Sequence, residues 1–249
     1  MIRSQFSLLG VLVATMSLMA FFASAAQAEV GAQWLVLEKP GVLLTEAQIL
    51  AKNTKFEVLE LENSTGALLS EIGSTKIDIS CTNLSLIDAL LGGNGGVNNG
   101  ASIKFTGCAF FSGGANGLEH IQSKCEVGTI ETLPAHALLR LHQLADGVKD
   151  DTLLILPDNV EVRVTTVKLG PSCAFGEELP IFGNLALQDC GGTTKALEHL
   201  LSHLVNEFTA LSTLALFGQR GKPGAKLASI DGSATVKLNT DALWSGDPS

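Results

Sequence analysis

Three residues with metal-binding side chains, His199, His203 and Glu207, follow one another at intervals of four. On an α-helix this spacing places all three on one face, one turn apart, and two imidazoles with a carboxylate are a ligand set for zinc or copper. Their face lies beside the apolar stripe of the segment rather than at its centre, which favours a solvated polar face. We therefore predict no metal and no cofactor, with these three residues as the candidate ligands if a metal binds.

A helix is predicted for the segment that carries these residues. Apolar side chains recur at 196, 197, 200, 201, 204, 205, 208 and 211, which is a helical stripe. The sequence Gly191-Gly192-Thr193-Thr194 precedes it and supplies a break and an N-cap. With the histidines on a solvated face of this helix over 194–211, replacing either by alanine should change stability by no more than about 0.5 kcal/mol.

Other arrangements that could support catalysis are weak. His136 and His142 share one face of a predicted strand, but six residues span about 20 Å, too far for one metal. The chain has no G-x-S-x-G elbow, no H-E-x-x-H motif and no phosphate-binding loop. We therefore assign no catalytic residues.

The five cysteines are interpreted as disulfide material with one left over. They are Cys81, Cys108, Cys125, Cys173 and Cys190, and no two form the C-x-x-C pair of zinc ribbons or redox proteins. Cys108 ends a predicted strand and Cys125 opens the next, which favours a local bridge between them. Cys81 points inward from its strand and Cys173 follows a Gly-Pro-Ser turn, which favours a second bridge and leaves Cys190 as a free thiol. The rival arrangement pairs Cys173 with Cys190 and leaves Cys81 as a buried thiol.

The charge balance limits the classes of partner that the protein is expected to bind. The 249 residues contain 16 Lys and Arg against 25 Asp and Glu, a net charge of −9. Binding to nucleic acid needs a clustered basic surface, so this class of partner is excluded. The partner itself is not identified by the sequence.

The first 28 residues have the pattern of a secretory signal peptide. Arg3 is followed by an apolar stretch, and Ala26-Gln27-Ala28 forms a small-x-small cleavage site before Glu29. The prediction is a signal peptide over 1–28 and a single β-rich domain over 29–249, with no membrane span after cleavage. The protein is then secreted to the periplasm, the cell envelope or the extracellular space.

Period-two alternation dominates the rest of the chain and predicts at least eight strands. The strongest runs are 75–81, 101–108, the pair 136–142 and 152–156 joined as a hairpin, 160–167 and 228–238. Short strands at close spacing without long helices are typical of an antiparallel sandwich or barrel, here with one or two short helices. The glycine- and asparagine-rich stretch 92–100 is predicted to be a mobile loop.

A family resemblance rests on short motifs between residues 75 and 190. They are Cys81, Phe105 with Cys108, Cys125 with the run 128–132, Cys173, and Phe182 with Gly183. In these motifs the chain resembles uncharacterised secreted β-rich bacterial proteins with paired cysteines. The resemblance implies an exported, disulfide-linked β protein, and it carries no activity.

The function predicted from the sequence is that of an exported non-catalytic β protein that binds a ligand or belongs to the envelope or extracellular surface. The alternative is a secreted hydrolase or metal-dependent enzyme whose site is assembled only in three dimensions. A pocket that holds histidine with a carboxylate or serine would favour the enzyme. Self-association through exposed edge strands is a third possibility.

Overall fold

The computed structural model describes residues 32–39, 41–52, 56–61, 64–113, 119–143, 149–188, 194–203 and 212–247. The predicted signal peptide, Cys190 and Glu207 lie outside these residues, and so do the side chains of His120 and His142. The single domain over 29–249 therefore stays a prediction.

The described residues form an antiparallel β structure with one short helix, α1. The bounds of the elements are β1 Gln33–Lys39, β2 Val42–Leu43, α1 Glu46–Ala51, β3 Val58–Glu60, β4 Thr65–Ile72, β5 Thr75–Ile87, β6 Gly96–Gly113, β7 Glu119–Ile121, β8 Ile130–Glu131, β9 Ala135–Gln143, β10 Lys149–Pro157, β11 Arg163–Lys168, β12 Glu178–Phe182, β13 Leu185–Gln188, β14 Glu198–His203, β15 Ala215–Leu216, β16 Lys226–Leu238 and β17 Leu243–Asp247.

Eight of these strands close into a hydrogen-bonded ring in the order β4-β5-β6-β9-β10-β13-β14-β16. The ring closes because the long strand β16 pairs with β14 along 232–237 and with β4 along 228–233. Shorter strands extend the sheet, with β15, β12 and β11 continuing from β16 and β8 pairing with β6. The predicted antiparallel β class is thus confirmed, and the arrangement is ring-like.

A second sheet of three strands, in the order β17-β1-β2, is built from segments far apart in the chain. Gln33 pairs with Asp247 and Leu37 with Leu243. Alternation along the two strands places Trp34 and Trp244 on the same face, where their ring centroids lie 5.6 Å apart. Both tryptophans are buried.

Two clusters of buried side chains fill the interior. The tryptophan cluster consists of Trp34, Val36, Leu44, Ile49, Phe56, Val58, Ala89, Leu91, Ala137, Leu139, Leu153, Leu201, Val236, Leu238, Ala242 and Trp244. The disulfide cluster consists of Leu68, Ile77, Ile79, Cys81, Phe110, Cys125, Ile130, Val167, Leu169, Leu179, Ile181, Leu185, Leu214 and Leu216. Ile155 and Leu187 pack against both clusters.

Most of the strands with clean alternation are where the sequence predicts them, but the predicted run 160–167 is a strand only from Arg163 onward, in β11. The hairpin of β9 and β10 is confirmed, with Leu139 opposite Leu153. On β5 the side chains of Ile77, Ile79 and Cys81 are all buried on one face, as their period-two spacing predicts.

The predicted helix over 194–211 is wrong where the structure describes it, because 198–203 is the strand β14. Glu198 to His203 pair antiparallel with β16, His199 opposite Val236 and Leu201 opposite Ala234. The run Glu-His-Leu-Leu-Ser-His fits a period of two as well as a helical stripe, and the long-range pairing decides between them. Residues 204–211 lie outside the described part of the chain.

The helix that the structure describes, α1, is short and capped. Thr45 precedes it and forms a capping box with Gln48, in which the Thr45 side chain accepts from the Gln48 amide and Gln48 reaches back to the Thr45 amide. Its buried residue, Ile49, joins the tryptophan cluster.

The stretch 92–100 is not the mobile loop that its composition suggests. Residues 93–95 form a tight turn, and β6 begins at Gly96. The turn is held by hydrogen bonds from the Asn94 amide to Glu46 Oε1 (2.5 Å) and from Trp34 Nε1 to the Gly96 carbonyl oxygen (2.6 Å). Contacts with α1 and β1 thus order a segment that has few side chains of its own.

Candidate ligand-binding cavity

The ring surrounds a partly open cavity of about 180 Å³. All eight ring strands contribute to its wall, and so do members of both buried clusters, among them Trp34, Trp244 and Val236 from the tryptophan cluster and Leu68 and Ile181 from the disulfide cluster. Protein interiors are otherwise close-packed, so a void of this size is a specific feature of the fold.

The cavity exists because small residues occupy several of the positions that line it. Ala67, Ala101, Ala135, Ala137 and Ala234 lie in its wall, on strands β4, β6, β9 and β16. Ala101 faces Ala135 across the β6–β9 pair, so two short side chains stand side by side there. Larger residues at these positions would fill the space.

The polar side chains of the wall mostly have partners. The Thr165 hydroxyl donates to the Glu131 carbonyl oxygen (2.7 Å), and the Thr132 hydroxyl accepts from the Ile103 amide (2.8 Å). The hydroxyls of Thr132 and Thr165 are therefore used within the protein. Trp244 differs, because its buried Nε1 has no hydrogen-bond partner among the described residues.

A histidine–carboxylate pair also lies at the cavity. His136 Nδ1 and Asp158 Oδ1 are 2.5 Å apart, and both side chains are partly exposed. The other oxygen of Asp158 accepts from the Gly100 amide (3.1 Å), which fixes the carboxylate. His136 is part of the wall, so it is the histidine that a bound molecule could reach.

His199 and His203, the candidate metal ligands, are buried rather than solvated, because they occupy alternate inward positions of β14. His199 donates from Nε2 to the Trp244 carbonyl oxygen (2.7 Å), and its ring packs edge-on against the Trp244 ring at 4.6 Å. His203 Nε2 and the Ser212 hydroxyl are 3.0 Å apart. The prediction that these histidines lie on a solvated face is thus wrong. The small loss of stability expected on replacing either by alanine rested on that prediction, so it no longer has a basis.

On a helix, a spacing of four residues would bring His199 and His203 close enough to bind one metal. On a strand, the same spacing places them far apart. Four residues of extended chain span about 13 Å. Among the described residues no group of three or more His, Cys, Asp or Glu side chains could hold a metal ion. Glu207 lies outside these residues.

Burial also changes the titration of His203. Desolvation lowers the pKa of this imidazole, and the opposing influences of the backbone at Ile230 and the carboxylate of Asp231 are smaller. The neutral form is therefore the one that the fold favours.

The disulfide pairing predicted from the sequence is wrong, although the four cysteines are the expected ones. The structure joins Cys81 to Cys108 and Cys125 to Cys173. Cys81 and Cys108 are directly opposite on β5 and β6, so the bridge crosses two paired strands. Cys173 is taken by Cys125, which overturns both the bridge to Cys81 and the rival bridge to Cys190.

A signal in the sequence could have identified the first bridge. Asn-Gly is the strongest two-residue hairpin signal, and Cys81 and Cys108 each lie 13 residues from the pair Asn94-Gly95. Cysteines placed symmetrically about a hairpin turn come to face one another across its strands. The two bridges are compatible with an oxidising location outside the cytoplasm.

Comparison with protein-family models, curated proteins and solved structures finds no match to this chain. The described residues contain no helix with the length and apolar character that crossing a membrane requires.

Proposed function

We propose that this protein is an exported binding protein that takes up a small apolar molecule inside the strand ring. The observation that carries the proposal is the cavity of about 180 Å³, walled almost entirely by aliphatic and aromatic side chains. An apolar cavity of about 150 Å³ in another protein stays dry and binds benzene or xenon, so this volume suits a molecule of similar or slightly larger size.

Physical chemistry supports an apolar occupant over water. A water molecule in a cavity needs two to four polar partners, and the partnered Thr132 and Thr165 have few hydrogen bonds to spare. An apolar molecule that leaves water for this space gains the free energy of burying its surface and needs no polar partners.

The binding test compares wild type with a variant in which the cavity is filled. Ala137→Leu puts a larger side chain into the wall, whereas Ala109→Leu makes the same change at a half-buried position of β6 outside the wall. Titration calorimetry and thermal unfolding with benzene and octane should show binding to wild type and Ala109→Leu. At 100 times Kd the bound molecule adds about 2.7 kcal/mol to stability.

Ala137→Leu should remain folded and lose this response. Absence of binding to wild type, or unchanged binding to Ala137→Leu, would contradict the proposal.

Hydrolysis is the second candidate function, and the pair of His136 and Asp158 favours it. A carboxylate on Nδ1 orients an imidazole for general-base catalysis through Nε2. Esters of short aliphatic acids are the substrates to try, because the acyl chain would enter the apolar cavity. A rate above background that disappears in His136→Ala would support this candidate, and equal rates in both proteins would exclude His136 as its base.

Export is tested separately, since it concerns residues outside the described part of the chain. Material recovered from the periplasm or medium of a bacterial host should begin at Glu29, after the Ala26-Gln27-Ala28 site. A product that keeps Met1 and is extracted only with the membrane would contradict it.

A further inference from the structure

We propose that the molecule bound in the cavity is an unbranched hydrocarbon chain that lies along the axis of the strand ring. One end of the chain contacts the tryptophan cluster and the other end contacts the disulfide cluster. The inference rests on the proposed binding function and names the chemical class and the shape of the ligand.

The starting observation is that single strands carry the cavity wall from one buried cluster to the other. On β16 the wall begins at Ile230, which packs against the disulfide cluster, and it continues through Ala234 to Val236 in the tryptophan cluster. On β5 it begins at Ile79 in the disulfide cluster and reaches Leu86, which packs against the tryptophan cluster. The two clusters therefore lie toward opposite ends of the same cavity.

The wall is longer than a compact cavity of the same volume would need. The six residue steps from Ile230 to Val236 span about 20 Å, and strands in a closed sheet tilt by about 35–45°, which leaves about 15 Å along the axis of the ring. A spherical cavity of about 180 Å³ would be about 7 Å across. Because side chains stand roughly perpendicular to their strand, such a sphere would contact only part of this wall. The cavity is therefore longer than it is wide.

Side chains from strands outside the ring complete the wall at both ends. Trp34 and Trp244 come from the three-stranded sheet and belong to the tryptophan cluster. Val167 and Ile181 come from β11 and β12 and belong to the disulfide cluster. All four are buried aliphatic or aromatic side chains, so the wall stays largely apolar along its whole length.

A long and narrow apolar cavity selects its ligand by shape as well as by polarity. An unbranched alkyl chain is narrow throughout, and each methylene that leaves water for the cavity adds to the affinity. A branched isomer with the same number of carbons is shorter and wider, so it would have to push paired strands apart. Protein interiors are close-packed and resist such overpacking.

The first experiment compares octane with 2,2,4-trimethylpentane by titration calorimetry of wild type. The two probes have the same number of carbons and differ in shape. Octane should bind about tenfold more tightly, which is within the range that overpacking produces. Equal affinity for the two isomers overturns the inference and leaves the proposed function intact. If neither isomer binds and benzene does not bind either, the proposed function fails as well.

The second experiment, also on wild type, follows the affinity from pentane to octane. Each added methylene should raise the affinity about fourfold, the factor expected when one methylene is fully buried. A compact cavity would stop gaining once its diameter is filled. An affinity that levels off before octane overturns the inference.

Competition with bound octane identifies the source of the chain. Displacement by dioctanoylphosphatidylcholine assigns the chain to a lipid tail, and displacement by 1-octanol alone assigns it to a free single-chain molecule. Displacement by neither assigns it to a hydrocarbon without a headgroup. All three results keep the unbranched chain and differ in the molecule that supplies it.

The last experiment shortens the cavity at one end. Ala89→Leu enlarges a wall residue of the tryptophan cluster, whereas Ala109→Leu makes the same change outside the wall. A short chain can move away from the filled end, so Ala89→Leu should keep the wild-type affinity for pentane and bind octane about tenfold more weakly, the contribution of one to two methylenes. Ala109→Leu should keep both affinities.

Equal losses for pentane and octane in Ala89→Leu, or no loss for either, overturn the inference. If this variant does not fold, the two experiments on wild type still decide between a chain and a compact ligand.

Discussion

The tryptophan cluster and the disulfide cluster face the same cavity but are held together in different ways. The tryptophan cluster depends on the pairing of β1 with β17, in which Gln33 and Asp247 lie opposite each other although they are 214 positions apart. The contacts that the structure describes within this cluster are all non-covalent. The disulfide cluster contains Cys81 and Cys125, each in a covalent bridge.

This difference predicts which mutations will lower the stability of each cluster. Bringing distant segments together costs chain entropy, which a disulfide reduces by restricting the unfolded chain. The tryptophan cluster has no such constraint and must recover that free energy from packing. We therefore expect the disulfide cluster to depend on its bridges and the tryptophan cluster to be sensitive to small steric errors.

The largest effect on the disulfide cluster is expected from removing the bridge between Cys125 and Cys173. Its sequence separation of 48 corresponds to about 4 kcal/mol in the chain-entropy relation. The double variant Cys125→Ala/Cys173→Ala should lose about this much stability in urea denaturation.

Cys81→Ala/Cys108→Ala is the matched comparison, with a separation of 27 and an expected loss of about 3.5 kcal/mol. The near-ultraviolet signal of the tryptophans should stay native below the transition in both variants. An unchanged urea midpoint after removal of either bridge would show that the disulfide cluster is held by packing alone.

A smaller effect is expected from one methyl group beside the tryptophan cluster. Gly95 has φ +63°, and a Cβ there would lie 2.9 Å from the Leu139 Cβ and 3.1 Å from the Ala32 carbonyl carbon. Gly95→Ala should therefore lose about 3 kcal/mol, from the left-handed backbone and from overpacking together.

Gly73, in the turn between β4 and β5 on the side of the disulfide cluster, is the control. Its φ is +67°, but nothing lies within 4 Å of an added Cβ. Gly73→Ala should lose about 1 kcal/mol, the backbone contribution alone. Equal losses in urea denaturation would refute the idea that tight packing distinguishes the two regions.

The third prediction concerns pH and follows from the buried His203. The unfolded chain takes up a proton near pH 6.5, whereas the lowered pKa delays protonation in the folded state. Below that pH the unfolded state binds more protons, so stability is full above about pH 6.5 and falls as the pH drops toward the folded pKa. Urea midpoints measured across this range should decrease on acidification.

His203→Gln keeps a donor for the Ser212 hydroxyl and cannot titrate in this range. Its urea midpoint should fall less than that of wild type over the same interval. Identical slopes in the two proteins would show that His203 contributes nothing to the acid sensitivity.

How much the sequence could predict depends on whether the pattern was local. Strand β5 and the hairpin of β9 and β10 were predictable, because alternation and turn residues are visible within a few positions. Ring closure was not predictable, because it pairs β4 with the distant strand β16. The hydrogen bond from the Ser70 hydroxyl to the Leu227 carbonyl oxygen, for example, joins residues 157 positions apart. The cavity was also hidden, since its small residues meet only once the register of distant strands is known.

The smallest effect is expected on the outer face of β14, where the helix prediction and the structure disagree most directly. A helical stripe would bury Leu200 and Leu201 together, but on the strand Leu200 is 50% exposed and Leu201 is 7% exposed. Leu200→Thr should therefore change stability by no more than about 0.5 kcal/mol. Leu201→Ala should lose about 2–5 kcal/mol, since it removes a side chain of the tryptophan cluster. Comparable losses for the two variants in urea denaturation would mean that both leucines are buried, and the register of β14 against β16 would then be wrong.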